Sequence, residues 1–372
     1  MPMLRFRGPR LMAPAREPIL PLTLIGLSTR MPIISPSTYR PPLLLRGGHI
    51  QTILPTLLRH DIPLRYMRER IGTSDEDFLD LDWSRVGARR LGIISHGLEG
   101  SSDRWYMRGM ARALNDAGWD ALPWNFRGCG GEANRTLRFY HSGATDDLGT
   151  VIDHALGSGL YDQVALIGFS LGGNITLKYL GEKGRDLDPR IIAGVAFSVP
   201  CDLRSSAGAL ARPANGIYMR RFLRTLGQKV RAKKIAMPGL IDDAGVGRLR
   251  TFREFDDRYT APLHGFRDAE DYWARCSSRP YMPSIAVPAL LVNALNDPFL
   301  APDCFPVEEA RASRFLYLET PDSGGHVGFM GERGAGRYWM ERRAIEFLDG
   351  LPAPEESSGM EIPAGSRSIR NS

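Results

Sequence analysis

Short, continuous apolar runs recur along the chain, each followed by a stretch with the period of a helix, and that alternation narrows the fold more than any other feature. The first run is Leu91-Gly-Ile-Ile-Ser. A run without polar alternation suits a strand buried on both faces, as in a parallel sheet. After it, Met107, Met110, Ala111 and Leu114 recur on one helical face, with Ser102 or Asp103 as the expected N-cap and Gly118 where a helix-ending glycine belongs. Residues 119–126 predict the next strand. A second helix carries Asp146 and Asp147 in its first turn, at the positive end of the dipole, and turns Leu148, Val151, Ile152 and Ala155 inward. Residues 164–169, 191–199, 289–293 and 315–318 continue the strand series, and a helix is expected from Leu171. A last helix, with Tyr338, Glu341, Ile345 and Leu348 along one side, is expected to cover the sheet. Repeated βαβ units with right-handed crossovers give an α/β fold, a mostly parallel central sheet flanked by helices on both faces.

Residues 201–287 break the rhythm. No strand pattern occurs there, and Arg220, Arg221, Lys229, Lys233 and Lys234 are interspersed with apolar side chains. The expectation is a mainly helical insertion that leaves the carboxyl edge of the sheet and covers a site there as a lid or cap; the alternative is a helical excursion with a packing role only. Tyr218, Met219, Phe222 and Tyr272 within it fit either an apolar pocket or ordinary helix packing.

The sharpest local signal is Gly168-Phe-Ser-Leu-Gly-Gly, a G-x-S-x-G directly after an expected buried strand and directly before an expected helix. At such an elbow the serine sits in a strained turn, the flanking glycines remove Cβ atoms that would meet neighbouring backbone, and the helix N-terminus favours a nearby oxyanion. A serine hydroxyl is a weak nucleophile, so Ser170 needs a histidine base and an acid to fix that base's tautomer, in the chain order serine, acid, histidine. His326, in a glycine-rich loop after the last strand, is the candidate base; His264 lies too early, in the insertion. Asp297 closes an apolar strand before Pro298 and is the candidate acid, with Asp303 and Asp322 as competitors. The oxyanion donors are assigned to the backbone N–H groups of Leu171 and of Leu98, in the loop Ser95-His-Gly-Leu-Glu-Gly. His96 in that loop is read as structural.

Composition removes other classes. The formal net charge is +6, but residues 1–46 hold seven arginines against Glu17 alone, so the remainder is neutral and lacks the positive stripe that nucleic-acid binding needs. The four cysteines, Cys129, Cys201, Cys276 and Cys304, are scattered, without metal-ligand spacing or a demand for disulfides, which fits a reducing cytoplasmic location and no metal. Gly128-Cys-Gly-Gly-Glu-Ala matches G-x-G-x-x-A, yet no amphipathic helix follows, so no dinucleotide cofactor is expected. The most apolar leader stretch, residues 19–27, is too short to cross a bilayer and contains Pro21. Residues 1–45 are expected to be a basic, proline-rich disordered leader, 46–350 the folded domain and 351–372 a disordered tail.

Taken together, Ser95-His-Gly-Leu-Glu-Gly, Gly168-Phe-Ser-Leu-Gly-Gly-Asn, Leu295-Asn-Asp-Pro and Gly324-Gly-His-Val-Gly-Phe resemble the α/β-hydrolase superfamily. His49-Ile-Gln-Thr, Asn125-Phe-Arg-Gly-Cys-Gly-Gly-Glu, Tyr140-His-Ser-Gly and the run from Phe255 to Phe266 narrow the resemblance to its YheT-like branch, related to eukaryotic abhydrolase domain proteins. The resemblance implies an esterase or lipase-like fold, a Ser170, Asp297 and His326 relay, and carboxylic-ester substrates, without naming one; the apolar acyl chain expected of them comes from Tyr218, Met219, Phe222 and Tyr272 of the insertion. Some related fungal members transfer acyl groups to alcohols, so acyl transfer on the same residues is the alternative, and a non-catalytic binder of apolar ligands is the alternative from another class.

Overall fold

The apolar runs pair into one nine-stranded sheet in the computed structural model, which describes residues 32–41, 45–59, 62–330 and 337–351. In chain order the strands are β1 (Ile33–Ile34), β2 (Met67–Gly72), β3 (Phe78–Trp83), β4 (Arg90–Ser95), β5 (Asp120–Asn125), β6 (Gln163–Phe169), β7 (Ile191–Phe197), β8 (Ala289–Val292) and β9 (Leu316–Glu319). Across the sheet the order is β1-β9-β8-β7-β6-β4-β5-β3-β2, parallel except where β3 meets β5 and β2. The helices are α1 (Gly48–Leu58), α2 (Trp105–Asp116), α3 (Thr145–Gly157), α4 (Leu171–Lys183), α5 (Leu203–Leu210), α6 (Gly216–Ala236), α7 (Phe252–Phe255), α8 (Ala261–Leu263), α9 (Ala269–Cys276), α10 (Val307–Ala312) and α11 (Trp339–Asp349).

Successive strand residues feed two apolar layers, because side chains alternate across a sheet. From β6, Val164 and Leu166 join Leu148, Val151 and Ile152 of α3 and Ile175 and Leu180 of α4. Ala165, Ile167 and Phe169 enter the opposite layer with Met107, Met110 and Leu114 of α2 and Met340, Ala344 and Phe347 of α11. Both faces are thus covered, which is why the central strands carry no polar alternation.

Four local expectations differ from what forms. Arg104, not Ser102 or Asp103, precedes α2, and it makes no side-chain cap; Ser102 Oγ donates instead to Asp82 Oδ2 at 2.5 Å and Asp103 pairs with Arg108 at 3.2 Å. The inner face of α11 is Met340, Glu341, Ala344, Phe347 and Leu348, with Tyr338 at the N-cap and Ile345 half-buried, because buried Glu341 is neutralised by Arg59. The leader expected through residue 45 contributes to the fold earlier: β1 pairs with β9, and the buried Tyr39 hydroxyl donates to Gln51 Oε1 at 2.9 Å. Leader residues 1–31 and 42–44 and the tail after Leu351 lie outside the described residues. Finally, β2 and β3 form where no strand was expected. The buried Asp80 and Asp82 of β3 face Arg70 and Arg68 of β2 in register, at 2.7 and 2.8 Å, so a charged pair of strands closes on itself.

All regular elements between β7 and β8 are helical. They have apolar clusters of their own, one around Tyr218, Met219, Leu223, Val230 and Phe255, the other around Leu203, Tyr272 and Trp273.

Candidate active site

Strand β6 ends at Phe169 and α4 begins at Leu171, so Ser170 alone makes the turn, at φ +53° and ψ −120°. A residue with a Cβ is strained there. Glycines make the tight approach possible: a Cβ on Gly168 would lie 2.4 Å from the Gly172 carbonyl oxygen, and one on Gly172 would lie 2.3 Å from that of Ser95, at the end of β4.

Asp297 follows β8 with a fully buried carboxylate, and its Oδ1 accepts the Phe299 N–H at 2.9 Å. Its Oδ2 stands 2.8 Å from His326 Nδ1, and His326 Nε2 stands 2.9 Å from Ser170 Oγ. The Phe299 ring packs on the imidazole with centroids 4.2 Å apart. The competing acids are elsewhere: Asp303 faces Arg279 at 3.8 Å, and Asp322 is exposed.

The loop that carries His326 is fastened at three points that the sequence did not reveal. The His326 N–H donates to Thr52 Oγ1 at 2.9 Å, the Val327 N–H to Ser198 Oγ at 2.8 Å, and the Gly325 N–H to Asn296 Oδ1 at 3.0 Å. Gly325 lies at φ +59°, where an added Cβ would meet the Gly48 carbonyl oxygen at 2.6 Å, so α1 presses directly on the loop. The only sequence trace of this arrangement is His49-Ile-Gln-Thr, noticed as a family resemblance without a role.

The loop after β4 brings Gly97 alongside the serine, with a virtual Cβ 3.2 Å from Ser170 Cβ. Leu98 and Leu171, the expected oxyanion donors, line the same cavity as Ser170. His96 is fully buried and bridges backbone: its Nε2 accepts the Phe126 N–H at 3.2 Å, which leaves the proton on Nδ1 for the Gly97 carbonyl at 2.7 Å. Burial lowers its pKa to about 3, so it is neutral and structural. Gly128, Gly130 and Ala133 open no helix; α3 starts only at Thr145, and Arg127 beside them is buried among Asp147, Asp75 and Asp77 at 2.7, 2.8 and 3.2 Å.

Two cavities meet at Ser170 and His326. One lies under the insertion and is lined by Leu203, Leu210, Phe222, Leu226, Phe252 and Phe255, with His141, Asp256 and His264 among its polar groups. The other runs between α1, α2 and the β4 loop past Thr52, Thr56, Arg104, Tyr106, Arg221 and Thr225. Among the described residues no cluster of three or more His, Cys, Asp or Glu is placed to hold a metal ion, and no helix is long and apolar enough to cross a membrane.

Residues 93–332 match the family model described as the alpha/beta hydrolase fold. The chain is 36% identical to YheT of Escherichia coli (strain K12) over 308 residues, covering 81% of this chain and 89% of that protein. It is 29% identical to the phospholipase ABHD3 of Homo sapiens over 316 residues, covering 82% and 76%. Among solved structures, the esterase Pf2001 of Pyrococcus furiosus superposes with a TM-score of 0.52 at 20% identity over 78% of this chain and 91% of that one, a likeness of fold. With the family model spanning β4 to the His326 loop, and YheT alike over most of both chains, this protein is an enzyme of the α/β-hydrolase family, in its YheT-like branch.

Proposed function

We propose that the chain hydrolyses carboxylic esters with an apolar acyl group through an acyl-enzyme on Ser170. The observation that carries this reading is the unbroken line from Ser170 Oγ to His326 Nε2 at 2.9 Å and from His326 Nδ1 to Asp297 Oδ2 at 2.8 Å, placed where two cavities meet. In this mechanism Ser170 Oγ adds to the ester carbonyl carbon while His326 Nε2 takes its proton. Asp297 accepts the Nδ1–H throughout, fixing the tautomer and stabilising the imidazolium. The Leu98 and Leu171 N–H groups hold the oxyanion. Collapse of the tetrahedral intermediate expels the alcohol, which receives the proton from His326, and water repeats the sequence to free the acid.

The apolar cavity under the insertion suits the acyl chain, and the more polar groove past Arg104 and Arg221 suits the leaving alcohol and incoming water. A relative named as a phospholipase is in keeping with an acyl-ester substrate. The test is a series of p-nitrophenyl esters of increasing acyl length on wild type and S170A. Turnover by wild type with an optimum beyond acetate, lost in S170A, is expected; wild-type turnover by S170A would overturn the reading. Added alcohol in the same assay, with the products identified, separates hydrolysis from acyl transfer.

A further inference from the structure

We infer that Lys229, on the insertion helix α6, is a positioning residue that holds the oxyanion loop through Glu99. The inference rests on the proposed Ser170 chemistry and adds to it a side chain in the wall of the same cavity that acts through the loop beside it.

Glu99 directly follows Leu98, and its backbone lies at φ +54°. A left-handed conformation is strained for a residue with a Cβ and persists only where its surroundings over-determine it. Four contacts do so here. The Glu99 N–H donates to the Tyr140 hydroxyl at 2.9 Å, and that hydroxyl donates back to Glu99 Oε1 at 2.6 Å. Arg104 Nη2 donates to the Glu99 carbonyl at 2.9 Å. Lys229 Nζ stands 3.0 Å from Glu99 Oε1. Tyr140 and Arg104 belong to the sheet domain, whereas Lys229 alone reaches in from the insertion.

The pair is sheltered, with side chains 23% and 10% exposed for Lys229 and Glu99. An ion pair so placed leaves an uncompensated charge when one partner is removed, unlike a surface pair. Lys229 Nζ also donates to Cys129 Sγ at 3.0 Å and lies 4.8 Å from the centroid of the Tyr140 ring, the ring whose hydroxyl fixes Glu99. The path from α6 to Leu98 is therefore one ion pair and one peptide bond long.

A built-in control exists one turn further along α6. Lys233 is buried and donates to the carbonyls of Asn134, at 3.0 Å, and Thr136. It seats the same helix on the same domain, and its hydrogen bonds go to residues 134 and 136 rather than to the oxyanion loop. Comparing the two lysines separates positioning of the oxyanion loop from mere attachment of the insertion.

The experiment uses the full chain as wild type, K229M, K229R, E99Q, K233M and S170A. Hydrolysis of the preferred p-nitrophenyl ester is measured together with inhibition by an alkyl trifluoromethyl ketone, whose adduct on the serine places an oxyanion where the tetrahedral intermediate has one. The expected result is that K229M loses about tenfold or more in kcat with KM within about twofold, and loses ketone affinity by a similar factor. K229R restores most of both, and K233M, at a temperature where its melting curve shows it folded, keeps kcat within about twofold. If K229M does not fold, E99Q carries the same expectation as K229M. The inference is overturned if K229M, or E99Q in its place, keeps kcat and ketone affinity within about twofold of wild type, or if K233M loses as much as K229M. S170A with wild-type turnover would instead bring down the nucleophile assignment, and the inference with it; an inactive S170A beside an unimpaired K229M sinks the inference alone.

Discussion

Ser170 is held in its strained turn largely by what its neighbours lack. Gly172 has no room for a methyl group, since the obstacle at 2.3 Å is the Ser95 backbone carbonyl, which cannot move without disturbing β4. G172A is therefore expected to lower stability by about 2 kcal/mol or more and to abolish turnover, read by thermal melting and ester hydrolysis. Thr52 acts differently. T52V keeps the shape but removes the acceptor for the His326 N–H, so kcat should fall on the order of tenfold with little change in melting temperature. Ser170, Asp297 and His326 were legible as a candidate set because each follows a strand in a marked local pattern, and the fold brings the three together. Thr52, Ser198 and Asn296 were not: Thr52 and His326 are 274 positions apart, and nothing local to either residue announces the contact.

At the scale of elements, the strands that were legible are those buried on both faces. Strand β4 and strand β6 read as apolar runs because helices cover them on either side, whereas β2 and β3 hide their strand character behind charges that cancel only once Arg68 meets Asp82 and Arg70 meets Asp80. The loop after β5 depends on the same device, with Arg127 only 2% exposed among three carboxylates. R127M leaves Asp77 and Asp147 buried without their cation and should cost about 3–5 kcal/mol in a denaturant titration. In the insertion, burial pushes the Asp256 carboxyl up to about 7, against the Thr260 hydroxyl and the Trp273 N–H, which donate to it at 2.6 and 2.9 Å. A carboxyl raised in the folded state binds its proton more tightly there than in the unfolded chain, so its contribution is fully present below about pH 4 and is lost as pH rises through 7. D256N removes that dependence. The melting temperature of wild type relative to D256N should accordingly rise as the pH is lowered through this window, and parallel curves would contradict the assignment.

For the molecule as a whole, the sheet brings the ends of β4, β6 and β8 and the loop after β9 to one edge, and the insertion roofs that edge. The order of elements was readable in the alternation of runs and periods. The way the insertion and α1 close on the site was not, because their contacts, Lys229 with Glu99 and α1 with the His326 loop, join residues that are remote in sequence. The proposed nucleophile is one serine in this arrangement. Intact-mass measurement after treatment with a fluorophosphonate decides it: a single adduct is expected on the folded wild type and none on S170A, whereas an adduct retained by S170A, or no adduct on folded wild type, overturns the assignment.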